Sequence, residues 1–239
     1  ISLSFKEKIE LAKLLDKLGV SVIELEGITS PKIDALRIKS IAMAVQGSVV
    51  AVPVQLNRDS VKNVWNALRV AKKPRLQVCA PVSSVQMEYL YHKKPEKMLA
   101  AIENAVTLCK AKCADVEFIA DDATRSDAAF LYKAVQTAIT AGATTVTVCD
   151  ATGAILPDEI GTFLDDLYTS VAELKTVTLG VSFINDLAMA DACAIAAIRH
   201  GAGEIKAAAY SGNVVSLPHI SRLLAAKGES FGVTCSVRT

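Results

Sequence analysis

The order of helical and strand patterns along the 239 residues predicts an α/β fold, a (β/α)8 TIM barrel whose first strand is absent from the chain. Seven apolar stretches of strand length alternate with eight amphipathic stretches of helical period. Most strand starts lie about 30 residues apart, which is the length of one βα unit. A closed barrel of this class has eight strands and typically about 250 residues. The chain is therefore about one strand short of a complete barrel.

Helical and strand patterns alternate from the start of the chain. A helix is predicted over 5–18, because apolar residues recur there at the spacing of one helix face. Gly19 follows, at the position where a residue without Cβ adopts the left-handed conformation at least cost. The short apolar stretch 20–26 then predicts a strand. The same unit is repeated by the predicted helices 33–45 and 60–71 and the predicted strands 48–56 and 75–82.

The second half of the chain continues the alternation. Pro95 and Pro157 open the predicted helices 95–109 and 157–171, at first-turn positions where the missing N–H of proline costs nothing. Gly142 follows another predicted helix, as Gly19 does. The remaining predicted elements are strands 115–120, 144–149, 176–184 and 204–209 and helices 127–140, 187–199 and 217–226.

The strands favour a barrel over the alternative, a doubly wound open sheet. Strands such as VVAVPV (49–54) are apolar at consecutive positions, which suits a parallel sheet covered on both faces. No GxGxxG motif follows the first predicted strand, as the dinucleotide-binding form of the open sheet would require. No break in composition divides the chain, so residues 1–239 are predicted to form a single domain.

Composition and charge exclude several classes of function. Apolar residues make up 51% of the chain and charged residues 21%, as in a globular protein. A net charge of +1 gives little attraction for a nucleic-acid backbone. The sequence shows no apolar stretch of about 20 residues and no secretory signal. The 6 cysteines do not suggest a disulfide framework in a chain of this size. We expect a cytoplasmic protein with neither nucleic acid nor membrane as a partner.

Oxygen-bearing side chains gather where the predicted strands end. Because the active sites of barrels lie at the carboxyl ends of the strands, these residues are expected to share one mouth. They are Glu24, Glu26, Gln77, Glu117, Asp121, Asp122, Asp150, Asn185, Asp186 and Asn213, with Arg58 as the cation among them. Such a ring suits a divalent ion or a general base, although a carboxylate at a helix start is also a common cap. The long loop 83–94 is predicted to lie over the mouth.

One long segment carries a specific resemblance. VEFIADDATRSDAAFLYKAVQTAITAGATTVTVCDATG (116–153) resembles the 2-isopropylmalate synthase and homocitrate synthase family. The segments GVSVIELEG (19–27), LNRDSV (56–61), NDLAMA (185–190) and SGN (211–213) are similar to further strand ends of that family. The resemblance implies a TIM barrel, a divalent metal, and a Claisen condensation of acetyl-CoA with a 2-oxo acid in amino-acid biosynthesis. We also expect a homodimer.

The resemblance also implies roles for particular residues. It makes Glu24, Arg58 and Asp121 the catalytic residues, with Asp121 near the acetyl group. Arg58 and Gln77 would hold the 2-oxo acid. The substrate-binding residues it implies are Gln77, Thr124, Arg125, Asp150, Thr152 and Asn213.

The chain departs from the family where the metal would bind. The family carries HxHND on its seventh strand, with both histidines as ligands, and this chain has Ser182 and Ile184 in their places. Isoleucine has no lone pair, and serine is a poor neutral ligand for a first-row metal. The RDG motif of the family's first strand has no counterpart here. We therefore assign no metal ligand and no cofactor, although the family uses a divalent metal and the oxygens of Asn213, Asp150 and Glu24 could still hold Mg²⁺.

Two other functions stay open at this point. The first is a catalytically degenerate, metal-free barrel that keeps the fold and an anionic-ligand site. The second is a metal-free lyase or aldolase, which the sequence disfavours because no lysine is predicted at a strand end, where a Schiff-base mechanism would need one.

Overall fold

The computed structural model of the chain describes residues 3–209 and 212–238. Within them, seven parallel strands form one sheet whose spatial order follows the sequence. The strands are β1 (Val22–Glu24), β2 (Val49–Val54), β3 (Pro74–Pro81), β4 (Val116–Asp121), β5 (Thr145–Asp150), β6 (Thr178–Phe183) and β7 (Glu204–Ile205). The sheet curls on itself, since Arg75 of β3 reaches Glu204 of β7 at 2.7 Å. The predicted barrel with seven strands is confirmed.

Helices connect the strands and cover the outside of the sheet. They are α1 (Phe5–Leu18), α2 (Pro31–Ala44), α3 (Arg58–Leu68), α4 (Ser84–Tyr89), α5 (Pro95–Lys110), α6 (Ala128–Ala141), α7 (Pro157–Ser170), α8 (Ala190–Arg199) and α9 (Leu217–Lys227). Short 3-10 turns lie at Ala123–Arg125, Ala172–Thr176 and Gly228–Phe231. No helix in 3–209 or 212–238 combines the length and the apolar character that crossing a membrane requires.

The structure differs from the sequence prediction in three elements. Strand β1 spans Val22–Glu24 and not 20–26. The loop 83–94 contains the helix α4, which Ser83 caps by accepting the backbone N–H of Gln86 at 3.3 Å. Strand β7 ends at Ile205 and not at 209. After Lys206 the chain no longer pairs with the neighbouring strand β6. The Ala208 N–H donates instead to the carbonyl of Val215, at 2.9 Å. Lys206 consequently lies at a strand end.

The two faces of the sheet differ in character. Successive side chains of a strand point to opposite faces, and in β4 Val116 and Phe118 pack into the core beneath the helices. Glu117, between them, faces the interior of the barrel and is also fully buried. Barrel interiors are usually filled by bulky apolar residues, whereas this one carries charged and polar side chains. Gly180 of β6 leaves room for one of them, because any Cβ there would overlap the Thr147 hydroxyl.

A seam separates the two edge strands of the sheet. Among the described residues β1 pairs with β2 alone and β7 with β6 alone. A cavity of about 900 Å³ lies between β1 and β7, with Glu24 and Lys206 on its inner side and Leu15 and Leu224 on its outer side. The gap that the strand count predicts is therefore present.

The last described residues close the lower part of this seam. The Ser236 hydroxyl donates to the Gly19 carbonyl at 3.0 Å, and the Arg238 N–H donates to the Leu18 carbonyl at 2.8 Å. Gly19 has φ 85°, and a Cβ at this position would lie 2.7 Å from the Ser236 carbonyl oxygen. Both the left-handed conformation and the close approach explain the glycine that follows α1.

One aspartate ties α1 to the start of β2. Asp16 accepts the backbone N–H groups of Gln46, Gly47 and Ser48 at 2.7–2.9 Å. Burial alone would raise the pKa of Asp16, but these donors and the Ser48 hydroxyl outweigh it and lower the pKa to about 2. The folded pKa lies below the unfolded value of about 3.9. The resulting stabilisation is therefore present above about pH 4 and is lost as the pH falls towards 2.

Asp16→Asn is expected to lower the free energy of unfolding by about 1–2 kcal/mol at pH 7, since it weakens charge-assisted hydrogen bonds that are partly exposed to solvent. Urea unfolding between pH 7 and pH 2 measures the effect. The variant should also lose less stability than the parent protein between pH 4 and pH 2. Asp166→Asn, at an exposed position of α7, is the control. Equal losses in both variants would contradict this account.

Candidate active site

An ion-pair network fills the lower part of the barrel interior. The buried Arg75 of β3 donates through Nε to Asp115 at 2.9 Å and through Nη1 to Glu204 at 2.7 Å. The Glu117 carboxylate lies 3.7 Å from the same Nη1 atom. Burial disfavours the charge on Arg75, but Glu204 and Asp115 outweigh this effect and raise its pKa. Arg75 therefore links β3 to β4 and to the edge strand β7.

Four side chains from four strand regions meet above Arg75. The amide Nε2 of Gln77 donates to Glu24 at 2.9 Å and to Glu117 at 2.8 Å. The Lys206 ammonium donates to the same two carboxylates, at 2.9 Å in the case of Glu117. Thr147 of β5 donates its hydroxyl to Glu117 at 2.6 Å. We call Glu24, Gln77, Glu117 and Lys206 the interior cluster.

Lys206 and Glu117 favour each other's charged form. Burial opposes the charge of Lys206, but Glu117 and Glu24 raise its pKa above the ordinary value. Burial likewise opposes the charge of Glu117, whereas Lys206, Thr147 and Gln77 lower its pKa overall. A lysine held as ammonium has no free electron pair with which to attack a carbonyl. The geometry of Lys206 therefore gives no support to a Schiff-base aldolase, even though a lysine does lie at a strand end.

The turn after β4 is held by a buried aspartate. Asp122 has φ 57°, which is uncommon for a residue other than glycine. Its carboxylate accepts the Ser83 hydroxyl at 2.5 Å and two N–H groups of Arg125 at 2.6 and 2.7 Å. These three bonds hold the turn in its left-handed conformation. Arg125, which the sequence suggests as a substrate-binding residue, thus also has a structural partner, and its side chain remains 46% exposed.

Asp150, at the end of β5, joins two of the strand-end loops. Its carboxylate accepts the hydroxyls of Thr124 and Thr152, each at 3.1 Å. It also accepts the backbone N–H of Ile155 at 3.2 Å. The structure therefore brings together three of the predicted substrate-binding residues, Thr124, Asp150 and Thr152.

Two other predicted site residues, Arg58 and Asn213, form no hydrogen bond with these groups among the described residues. Arg58 is the first residue of α3, is exposed, and forms no ion pair with any residue that the structure describes. The Asn213 amide donates to the Asp186 carboxylate, and the Asn213 carbonyl accepts the Asn185 N–H at 2.9 Å. Ser211 of the SGN segment lies outside the described residues.

Asp121 lies at the mouth of the barrel, below the loop that contains α4. Burial raises the pKa of its carboxyl group. Burial also raises the pKa of the neighbouring Cys79 to about 12. Burial raises the pKa of Tyr91, which lies in this loop. The loop begins at the mouth, because the Ser83 hydroxyl donates to the Asp122 carboxylate at 2.5 Å. Tyr91 carries no sequence motif that would have marked it.

The residues present do not fit a divalent metal site. Ser182 lies at the seam cavity, while Ile184, which offers no donor atom, forms an antiparallel bridge with Val214. The carboxylate of Asp186 is engaged by the Asn213 amide. Over 3–209 and 212–238, no three side chains of His, Cys, Asp or Glu converge on a point where they could hold a metal ion.

Residues 1–213 match the family model described as HMGL-like. The 2-isopropylmalate synthase of Pelotomaculum thermopropionicum is 37% identical over 209 residues, which cover 87% of this chain and 41% of that protein. The 2-isopropylmalate synthase of Clostridium kluyveri is 32% identical over 244 residues, which cover 100% of this chain and 47% of that protein. The chain thus spans less than half the length of these relatives.

Solved structures share the fold at low sequence identity. The HMG-CoA lyase of Bacillus subtilis superimposes with a TM-score of 0.77 at 17% identity, covering 100% of this chain and 83% of that chain. The hydroxymethylglutaryl-CoA lyase of Pseudomonas aeruginosa gives 0.79 at 15% identity, covering 99% and 82%. These structures support the barrel fold. The relatives confirm the resemblance to 2-isopropylmalate synthases that the strand-end segments indicate. Because the family model covers most of its residues, the chain belongs to the HMGL-like family.

Proposed function

We propose that this chain forms the barrel of an acyltransferase that condenses acetyl-CoA with a 2-oxo acid in amino-acid biosynthesis. The observation that carries the proposal is the 32–37% identity to proteins named 2-isopropylmalate synthase. The alternative is a catalytically degenerate barrel. The similarity to proteins named 2-isopropylmalate synthase does not favour this alternative. The strand-end carboxylates and amides give the mouth the polar groups that such a reaction needs.

The proposed reaction begins with proton removal from the methyl group of acetyl-CoA. The resulting carbanion attacks C2 of the 2-oxo acid, so that a C–C bond forms and the carbonyl π pair moves to oxygen. The oxygen takes up a proton, and water then cleaves the thioester and releases CoA with its free thiol. We assign the proton removal to Asp121, because a carboxylate whose pKa is raised by burial is a stronger base near neutral pH.

The other site residues have proposed roles in binding. Arg58, which is exposed at the start of α3, would attract the carboxylate of the 2-oxo acid, as would the half-exposed Arg125. Glu24 and Gln77 would shape the floor of the site through the interior cluster. The remaining proposed binding residues are Thr124, Asp150, Thr152 and Asn213.

A thiol-release assay tests the proposed function. The full chain is incubated with acetyl-CoA and with each of several 2-oxo acids that differ in side-chain length. We expect CoA thiol to appear only when a 2-oxo acid is present, and faster with one chain length than with the others. The absence of release with every acid, or release at the same rate without any acid, would contradict the proposal.

We further propose that the protein acts in the cytoplasm as a homodimer. The 6 free cysteines suit a reducing compartment. Ile33, Leu36 and Met43 of α2 are 59–66% exposed and recur at intervals that place them on one side of the helix. Exposed apolar residues that cluster on one helix favour a protein–protein contact.

Leu36→Glu is expected to convert the dimer into a monomer, because it places a charge in the proposed contact. Size-exclusion chromatography with light scattering measures the mass of the parent and the variant. Lys133→Glu, at an exposed position of α6 and away from the α2 face, should leave the dimer intact. A monomeric parent protein, or a Leu36→Glu variant that stays dimeric, would overturn the proposed dimer.

A further inference from the structure

We propose that Lys206 is the built-in cation of the Glu24–Glu117 carboxylate pair, and that its ammonium occupies the place where a divalent cation would otherwise bind. Lys206 would neutralise these two carboxylates whether or not the protein catalyses the proposed condensation. This role differs from the chemistry that the family resemblance implies, in which a metal ion supplies the positive charge.

The position of Lys206 lets one ammonium reach both edges of the seam. β7 ends one residue earlier, so the side chain crosses the seam to Glu24 of the other edge strand. The same ammonium reaches Glu117 of β4 at 2.9 Å. The Lys206 side chain is 18% exposed, while Glu117 is fully buried. One lysine therefore joins both edges of the seam to the centre of the sheet.

The interior holds more carboxylates than cations. The interior places the carboxylates of Glu24, Glu117 and Glu204 near the two cations Arg75 and Lys206. Arg75 is engaged at short distance by Glu204 and Asp115. Lys206 is the other cation, and it contacts both Glu24 and Glu117. Without it, Glu24 would have no ion-pair partner among the described residues, and the fully buried Glu117 would keep only its 3.7 Å contact with Arg75. Loss of the short contact is costly for a buried carboxylate.

Carboxylate and amide oxygen atoms lie around the ammonium. Glu24 and Glu117 are bridged a second time by the Gln77 amide, so the two carboxylates are fixed relative to each other. The Gln77 Oε1 atom is buried and accepts no hydrogen bond from the described residues. Rotation of that amide would supply a third oxygen beside the carboxylates. Carboxylate and amide oxygens are the ligands that hard divalent cations take in proteins.

A titration with Mn²⁺ alone tests the proposal. Paramagnetic resonance of free Mn²⁺ measures binding, and thermal unfolding measures its effect on stability. We expect no Mn²⁺ site in the parent protein that depends on Glu24. We expect Lys206→Gln to bind one Mn²⁺ per chain and to melt at a higher temperature when Mn²⁺ is added. The double variant Lys206→Gln/Glu24→Gln should bind at least about tenfold more weakly, equivalent to about 1.4 kcal/mol.

Lys73→Gln is the matched control, because Lys73 donates to the Gly47 carbonyl at 2.6 Å and does not join a carboxylate pair among the described residues. It should gain no Mn²⁺ site. A Mn²⁺ site in the parent protein that Glu24→Gln removes would overturn the proposal. A folded Lys206→Gln variant without a Mn²⁺ site would overturn it as well.

The proposal stays testable if Lys206→Gln does not fold by itself. Lys206→Arg, which keeps the positive charge, should then fold without metal. Refolding of Lys206→Gln that depends on Mn²⁺ would support the proposal. Failure to refold in Mn²⁺, while Lys206→Arg folds, would contradict it, since a divalent cation could not then replace the ammonium.

Discussion

Arg75→Met is expected to lower the free energy of unfolding by about 3–5 kcal/mol, because it removes a buried guanidinium and leaves the partly buried Glu204 and Asp115 without their cation. The Arg75 guanidinium contacts Glu204 at 2.7 Å and Asp115 at 2.9 Å, and Glu117 lies 3.7 Å away. Methionine keeps much of the apolar stem and removes the charge. Urea unfolding at pH 7 measures the loss.

Two companion variants isolate the electrostatic part of this effect. Lys13→Met breaks the exposed 2.9 Å pair with Glu10 and is expected to cost less than about 0.5 kcal/mol. Arg75→Met/Glu204→Gln should recover part of the loss, since it removes one of the carboxylates left without a partner. If Arg75→Met cost no more than Lys13→Met, the interior network would not contribute to stability.

Asp121→Asn is expected to slow the 2-oxo-acid-dependent release of CoA by about 10²- to 10⁴-fold, the usual contribution of a general base. The amide has the shape of the carboxyl group but cannot take up the proton. In the parent protein the rate should rise with pH as Asp121 deprotonates, at a pH above the ordinary carboxyl range because burial raises the pKa. The variant should lack that rise. Initial rates from pH 4 to pH 8 measure both effects.

Asp59→Asn serves as the control for this variant. Asp59 is an exposed residue in the first turn of α3. It should change neither the rate nor its pH dependence. Equal rates for Asp121→Asn and the parent protein, with both folded, would remove Asp121 from the reaction without affecting the assignment of the fold.

Local patterns in the sequence predict most of the fold. The helix predicted over 5–18 is α1, because its apolar spacing and Gly19 fix both its face and its end. The seven strands and the missing eighth follow from counting βα units, since parallel strands need a crossover between them. The helix α4 was not predicted, because six residues are too few to show a helical period.

The site could be predicted only in part. The sequence groups Glu24, Gln77 and Glu117 at one mouth, and the structure does join them by hydrogen bonds. Gln77 lies within β3 and Glu117 is the second residue of β4, so this cluster lies inside the barrel and not at the carboxyl ends of the strands. The partners of this cluster could not be found in the same way. Lys206 meets Glu24 across 182 residues of sequence, and nothing near either residue in the chain indicates the pair.

The apolar pattern around Lys206 does not indicate that this residue lies at a strand end. The stretch 204–209 continues with alanines, which predicts a longer strand with the lysine inside it. The strand in fact ends early, because the chain turns back to pair Ala208 with the segment at 214–216. That turn depends on a tertiary contact, which periodicity does not record.

The most direct test of the proposed acyltransferase uses acetyl-CoA labelled with ¹³C in both acetyl carbons. The full chain is incubated with this substrate and the 2-oxo acid that gives the fastest thiol release, and the products are analysed by mass spectrometry. We expect a new acid that contains both labelled carbons joined to the 2-oxo acid skeleton, in an amount equal to the thiol released. Thiol release accompanied only by labelled acetate would show hydrolysis without a new C–C bond and would contradict the proposed function.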